Sequence, residues 1–110
     1  ALGYFDQARA AYEQAVAANP NHLDVQSGFG RTWDGTGQAL ARLGRNDDAL
    51  RAYTRAVELQ TATRHQAPNN TQYRNWLNEH LTHLAQFHRD NNRHADADLI
   101  AAELEKLSKP

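Results

Sequence analysis

The sequence predicts an all-α fold: antiparallel helix pairs stacked as an α-solenoid, with about five helices in one continuous domain. Three observations point there. The first is composition, since 19 of the 110 residues are Ala and the only β-branched apolar residues are Val16, Val25, Val57 and Ile100. Helices favour Ala and Leu, whereas strands favour β-branched and aromatic residues, so an all-β or parallel-sheet fold is nearly excluded. The second is punctuation, with Gly3, Pro20, Gly44, Pro68 and Pro110 separating segments whose apolar residues recur every three or four positions. The third is an internal repeat.

The segments read in order as follows. A first helix is expected from about Tyr4 to Ala18, with Phe5, Ala8, Tyr12, Ala15 and Val16 on one stripe, Asp6 near its N-terminus and Asn19-Pro20 as its stop. A second is expected from about Asn21 to Leu43, with Val25, Phe29, Trp33, Thr36, Leu40 and Leu43 inward. It carries Gly28, Gly30, Gly35 and Gly37, each costing about 1 kcal/mol against Ala. Close approach of a neighbouring helix backbone would compensate, and Gly44 suits a left-handed C-terminal cap. A third helix is expected from Asn46, read as its N-cap, to about His65, with Ala49, Leu50, Tyr53, Ala56, Val57 and Gln60 inward. A fourth spans about Asn70 to Asp90, with Tyr73, Leu77, Leu81, Leu84 and His88 inward, and Asn91-Asn92 takes the place of Leu43-Gly44. A fifth covers about His94 to Leu107, with Ala97, Ile100, Ala101, Leu104 and Leu107 facing in.

The repeat appears when the chain is shifted by 48, which lays residues 20–59 over 68–107 without a gap. Pro20 meets Pro68, Arg45 meets Arg93, Ala49 meets Ala97 and Leu59 meets Leu107; core positions match in type, as Trp33 with Leu81 and Gly37 with Ala85. The segment Leu2-Gly3-x4-Ala8-x3-Tyr12-x2-Ala15-Val16 recurs as Leu43-Gly44-x4-Ala49-x3-Tyr53-x2-Ala56-Val57, at a shift of 41. The difference between the shifts falls between Leu59 and Pro68 and adds about two turns to the third helix. The chain therefore divides into a half repeat at 1–20, a full repeat with an extended second helix at 21–67, and a full degenerate repeat at 68–110.

On these residues the sequence resembles the tetratricopeptide repeat family, whose pattern is W-x2-L-G-x2-Y, then A-x3-F or Y, then P. Trp33-x2-Thr36-Gly37-x2-Leu40 leads to Ala49-x3-Tyr53, and the first helix supplies Ala8-x3-Tyr12 and Pro20. The last unit departs from the pattern at Leu81-x2-Leu84-Ala85-x2-His88 and Ala97-x3-Ala101. The long spacing is similar to the extended repeats of kinesin-light-chain type. The stretch from Ala67 to Ala85 is also similar to repeat tails of planctomycete-type bacterial serine/threonine kinases. The resemblance implies a right-handed superhelix whose concave face binds a peptide or partner domain. The groove positions it implies are Arg31, Asp34, Gln38 and Arg42, and in the last unit Glu79, Thr82, Gln86 and Arg89. A solvated face is the equally weighted alternative for these eight. Family members that grip an acidic chaperone tail use Lys and Asn where this chain has Asp34 and Gln38, so that specific activity is not implied.

Other function classes find little support. Lys and Arg number 12 against 13 Asp and Glu, and this balance argues against nucleic acid or an anionic membrane as partner. No apolar run approaches a membrane span, and no signal peptide is visible. With no Cys there is no disulfide framework or thiolate site. His80, His83 and His88 raise a metal reading, but the H-E-x-x-H order is missing. His80 and His83 are therefore read as surface or groove residues, and His88 as packed between helices. No metal, cofactor or catalytic site is expected: Gly28-x-Gly30 and Gly35-x-Gly37 follow no strand, and Asp47, Asp48, Asp96 and Asp98 occupy first helical turns. A cytoplasmic setting is the expectation with an extracellular one left open, and only in the latter would the match of Asn69-Asn70-Thr71 to a glycosylation acceptor matter. A chain that starts at Ala1 and contains no Met is expected to be a processed product or a piece of something longer. Its first helix exposes Phe5, Tyr12 and Val16 on one side, so head-to-tail stacking on Leu99, Leu104 and Leu107 of another copy is the alternative to partner binding.

Overall fold

The computed structural model describes residues 2–109 and contains five helices: α1 (Leu2–Ala18), α2 (Leu23–Arg42), α3 (Asn46–Gln66), α4 (Thr71–Asp90) and α5 (His94–Ser108). Each helix packs on the next, and α2 also touches α4. The result is a slab of 40 × 38 × 15 Å, thin enough for only two helix layers. The all-α solenoid expected from the sequence is the fold observed.

The two A-to-B turns are built alike. Arg45 N–H bonds to Leu40 O at 3.0 Å and Gly44 N–H to Ala41 O at 3.1 Å, with Gly44 at φ +75°. One repeat later, Arg93 N–H bonds to His88 O at 2.8 Å and Asn92 N–H to Arg89 O at 3.0 Å, with Asn92 at φ +59°. Both are Schellman caps, and Asn92 takes the left-handed position that Gly44 fills in the first. This turn corrects two expectations. Arg45, not Asn46, is the N-cap of α3, because the Schellman bond already fixes Arg45 and its carbonyl then accepts from Ala49 N–H. Asn46 becomes the first helical residue and donates from its amide to Asn91 Oδ1 at 2.9 Å. Leu43, read as inward, is 61% exposed because it sits in the cap beyond the last turn of α2.

The N-termini of α2 and α4 are capped by side chains. His22 Nδ1 accepts from Val25 N–H at 3.3 Å, and Asn70 Oδ1 accepts from Tyr73 N–H at 2.9 Å. Helix α1 begins at Leu2, earlier than expected, so Asp6 lies beyond the first turn and forms an ion pair with Arg9 instead of capping.

The core centres on Leu40, Ala49, Ala52, Tyr53, Leu84 and Phe87, where α2, α3 and α4 meet. Of the repeat-matched alanines Ala8, Ala49 and Ala97, the last two are fully buried and Ala8, on the end helix, is half-buried. The glycines of α2 serve close approach, mostly of aromatic rings rather than of backbone. A Cβ at Gly28 would lie 2.5 Å from the Tyr12 ring, and one at Gly37 would lie 2.9 Å from the Tyr53 ring. Gly35 likewise faces Phe5, and Gly30 faces Gln60 and the Ala56 carbonyl. The lengthened end of α3 is anchored by polar residues: Gln60 and Thr63 are fully buried, and Gln60 Nε2 donates to Ser27 Oγ at 2.8 Å.

Candidate binding face between α2 and α4

Among the described residues α2 and α4 pack directly on each other, whereas α1, α3 and α5 make no helix–helix contact with one another. Helices α2 and α4 therefore form one layer of the stack, and α1, α3 and α5 the other.

At its centre is Asp34, only 4% exposed. Its Oδ2 lies 3.0 Å from Gln38 Nε2 and 2.7 Å from His83 Nδ1. A carboxylate oxygen accepts, so His83 must hold its hydrogen on Nδ1 and donate it across the helix interface. The 3.3 Å approach of Gln38 Nε2 to that same nitrogen is then a contact between two donors rather than a hydrogen bond. His80 Nδ1 stands 3.6 Å from Asp34 Oδ2, and neither of its ring nitrogens has a partner although the residue is 2% exposed. His80 is thus not a surface or groove residue. It lies under Asp34, and the buried carboxylate holds α4 through His83 above it.

The eight groove positions separate into four groups. Gln38, Arg42 and Gln86 line one open pocket of about 310 Å³, with His83, Tyr53, Phe87 and Asp90 completing its wall. Gln86 Nε2 donates to Asp90 Oδ1 at 2.8 Å. Arg31 lies further along the face with its guanidinium 4.0 Å from the Trp76 ring centroid, a cation–π stack that ties α2 to α4. Asp34 is buried beneath the face and acts through His83 and Gln38. Glu79, Thr82 and Arg89 are exposed on α4 outside the pocket, and Thr82 Oγ1 donates back to Asn78 O at 2.8 Å.

Asp90 was not among the groove residues read from sequence, and His83 was read only as a surface or groove histidine without a partner. The 48-residue shift carries Arg42 onto Asp90, so strict register pointed to that position. The His83–Asp34 pairing crosses two repeats and left no local pattern. Around this face, burial pushes the Tyr53 hydroxyl up to about 12, assisted by the Asp34 charge, so Tyr53 enters the pocket wall as a neutral donor. Burial also holds His88 below the usual histidine range. Tyr73 is likewise raised to about 12, by burial and by its hydrogen bond to Asp24. No cluster of three or more His, Asp or Glu that could hold a metal ion occurs among the described residues.

The Tetratricopeptide repeat family model matches residues 1–22 and 31–63, half of the chain. The chain belongs to the tetratricopeptide repeat family. The match falls on α1, most of α2 and α3, and leaves out α4 and α5, where the repeat pattern is most degraded. No curated protein and no solved structure matches the chain. Tetratricopeptide repeats generally act as protein-interaction modules and are typically non-enzymatic scaffolds. No described helix is long and apolar enough to cross a membrane.

Proposed function

We propose that this tetratricopeptide repeat chain is an interaction scaffold that captures an extended peptide along the α2–α4 face. The observation that supports this best is the pocket of about 310 Å³ beside the Asp34–His83 pairing. Its wall combines a cation (Arg42), an anion (Asp90), two amides (Gln38 and Gln86) and two aromatic rings (Tyr53 and Phe87). That mixture suits a polar peptide backbone with one apolar side chain rather than a run of acidic residues. Arg31, Glu79, Thr82 and Arg89 extend the surface along the face, and Asp34 positions His83 and Gln38 within it. The 21-residue α3 supports grouping the chain with long-period repeats of kinesin-light-chain type.

The test is selection of a random peptide library on the purified protein, with the Arg42→Glu variant as the counter-target. Peptides enriched on the parent and lost on the variant support the reading. Equal enrichment on both, or none on either, overturns it.

A second reading is favoured by Tyr4, Leu43 and Leu99, the large apolar residues that remain 72%, 61% and 68% exposed. Leu43 lines an open depression with Leu2 and Ala39 at the α1–α2 edge, where Leu99 of a second copy would dock. Light scattering across a wide concentration range tests it, and a mass that stays at one chain overturns it.

A further inference from the structure

The opposite face carries a second site. Because α1 and α3 do not touch, a groove of about 500 Å³ opens between them, with α2 as its floor. Four guanidinium groups line it, Arg9 from α1, Arg45 at the N-cap of α3, and Arg51 and Arg55 from α3, against the carboxylates of Asp6 and Asp48. The excess is two positive charges in a chain whose net charge is −1.

Two of the four arginines already converge on an oxyanion, and Arg9 pairs with Asp6. Arg45 Nη2 lies 2.8 Å and Arg45 Nε 3.1 Å from Asp48 Oδ2, while Arg51 binds Asp48 Oδ1. These hydrogen bonds, Arg45's first, hold the Asp48 carboxyl below the usual carboxylate range. Arg9 stacks with its guanidinium 4.7 Å from the Trp33 ring centroid and donates to Thr36 Oγ1 at 2.8 Å. Trp33, on the floor, has a buried indole N–H without a partner.

The fold itself does not require this charge. Under the 48-residue shift Leu81 takes the position of Trp33, Leu99 that of Arg51 and Glu103 that of Arg55, while Arg93 keeps that of Arg45; Leu81 and Glu103 line the next groove on the same face, between α3 and α5. That groove is apolar along Leu77, Leu81 and Ile100, with Arg64, Lys106 and Glu103 as its charged residues. The same architecture thus exists without arginine at the positions of Arg51 and Arg55, and their presence in the first groove favours an anionic ligand there.

We propose that the groove between α1 and α3 binds a phosphomonoester dianion carried on a serine or threonine of a partner protein. A dianion balances the excess of two charges, which a single carboxylate leaves half uncompensated. Its three oxygens accept from several guanidinium forks at once. The groove is larger than a phosphate group, and the Trp33 and Leu40 surface accommodates the flanking chain. This site is independent of the α2–α4 face and does not rest on its reading.

The probe is N-acetyl-phosphoserine N-methylamide, titrated at constant ionic strength and followed by the indole and arginine Nε–H resonances. Its serine and glutamate counterparts and inorganic phosphate are titrated in parallel. The chain has two tryptophans, and Trp76, stacked under Arg31 on the other face, is the internal reference. The expected result is saturable movement of the Trp33 and Arg55 signals with Trp76 unmoved, and binding about tenfold weaker in Arg55→Gln and in Arg51→Gln. Arg64→Gln, in the other groove, leaves the affinity unchanged. Both arginines are exposed side chains, and circular dichroism checks that the variants keep their helicity. No movement of Trp33, equal affinity for the glutamate compound, or unchanged binding in both arginine variants overturns the site. Equal affinity for inorganic phosphate overturns its assignment to a phosphorylated protein.

Discussion

His83 owes its orientation to a single carboxylate. Asp34 is nearly inaccessible, and its Oδ2 receives only Gln38 and His83 as hydrogen-bond donors, while Oδ1 has no partner. Truncating His83→Ala leaves that buried charge with one donor. A hydrogen bond to a charged group is worth about 1.5–3 kcal/mol, so a loss of that order is expected in urea unfolding. An unchanged midpoint would show that water replaces the imidazole without cost. His88 tests burial in the opposite sense. Desolvation holds its pKa below the ordinary histidine value of 6.5, so the unfolded chain binds the proton more readily than the folded one. Stability contributed by neutral His88 is therefore present above the unfolded value and lost as pH falls from there toward the folded value. His88→Leu, which restores an apolar repeat residue, is expected to flatten the fall in melting temperature between about pH 7 and pH 5. Equal slopes in both proteins would sink that account. His88 was legible in sequence because it replaces a repeat core residue, whereas the Asp34–His83 link was not, because its two halves lie 49 residues apart on different helices.

The helices and their inward stripes were readable from 3.6-residue periodicity, and so was the Asn91-Asn92 turn, because it occupies the register of Leu43-Gly44. What the pattern left open was which neighbour fills each notch. Four glycines in α2 cost helix propensity, and the rings that repay this come from α1 and α3, which no local reading of α2 can name. Gly28→Ala and Gly37→Ala therefore make a sharp test. Propensity alone says each gains about 1 kcal/mol, while the Tyr12 and Tyr53 rings leave no room for a methyl group. Overpacking costs about 1–3 kcal/mol, so a net loss is expected for both in thermal unfolding. A gain in either would mean that the ring moves freely. The two Schellman turns give a paired comparison. Asn92→Ala and Gly44→Ala each force a Cβ residue without a local polar partner into the left-handed region, and each is expected to cost about 1–2 kcal/mol. A much smaller loss at one of them would mean that this turn rearranges.

The stack is held by nearest neighbours, and its two ends are not equivalent to its middle. Helix α1 contacts only α2 and has no fully buried residue, and α5 contacts only α4 and buries only Ala97. Helices α2, α3 and α4 share the central cluster of Leu40, Tyr53, Leu84 and Phe87. In such an array stability is a sum of unit and interface contributions, and elements with one interface open at lower free energy than those with two or more. Native-state hydrogen exchange should therefore show α1 and α5 opening below the global unfolding free energy, with α2, α3 and α4 exchanging together near it. Phe5→Ala distinguishes this from simple fraying. Phe5 packs into the Gly35 notch, so its loss is expected to raise exchange along the whole of α1 while leaving α4 unaltered. Were the five helices protected to the same degree, and were Phe5→Ala to lower them all equally, the chain would be one cooperative unit. The charged groove between α1 and α3 would then be as rigid as the α2–α4 face. With a separable α1, by contrast, any ligand that bridges Arg9 on α1 to Arg55 on α3 would raise the protection of α1 selectively. That selective gain links the low stability of one end to the occupancy of the groove beside it.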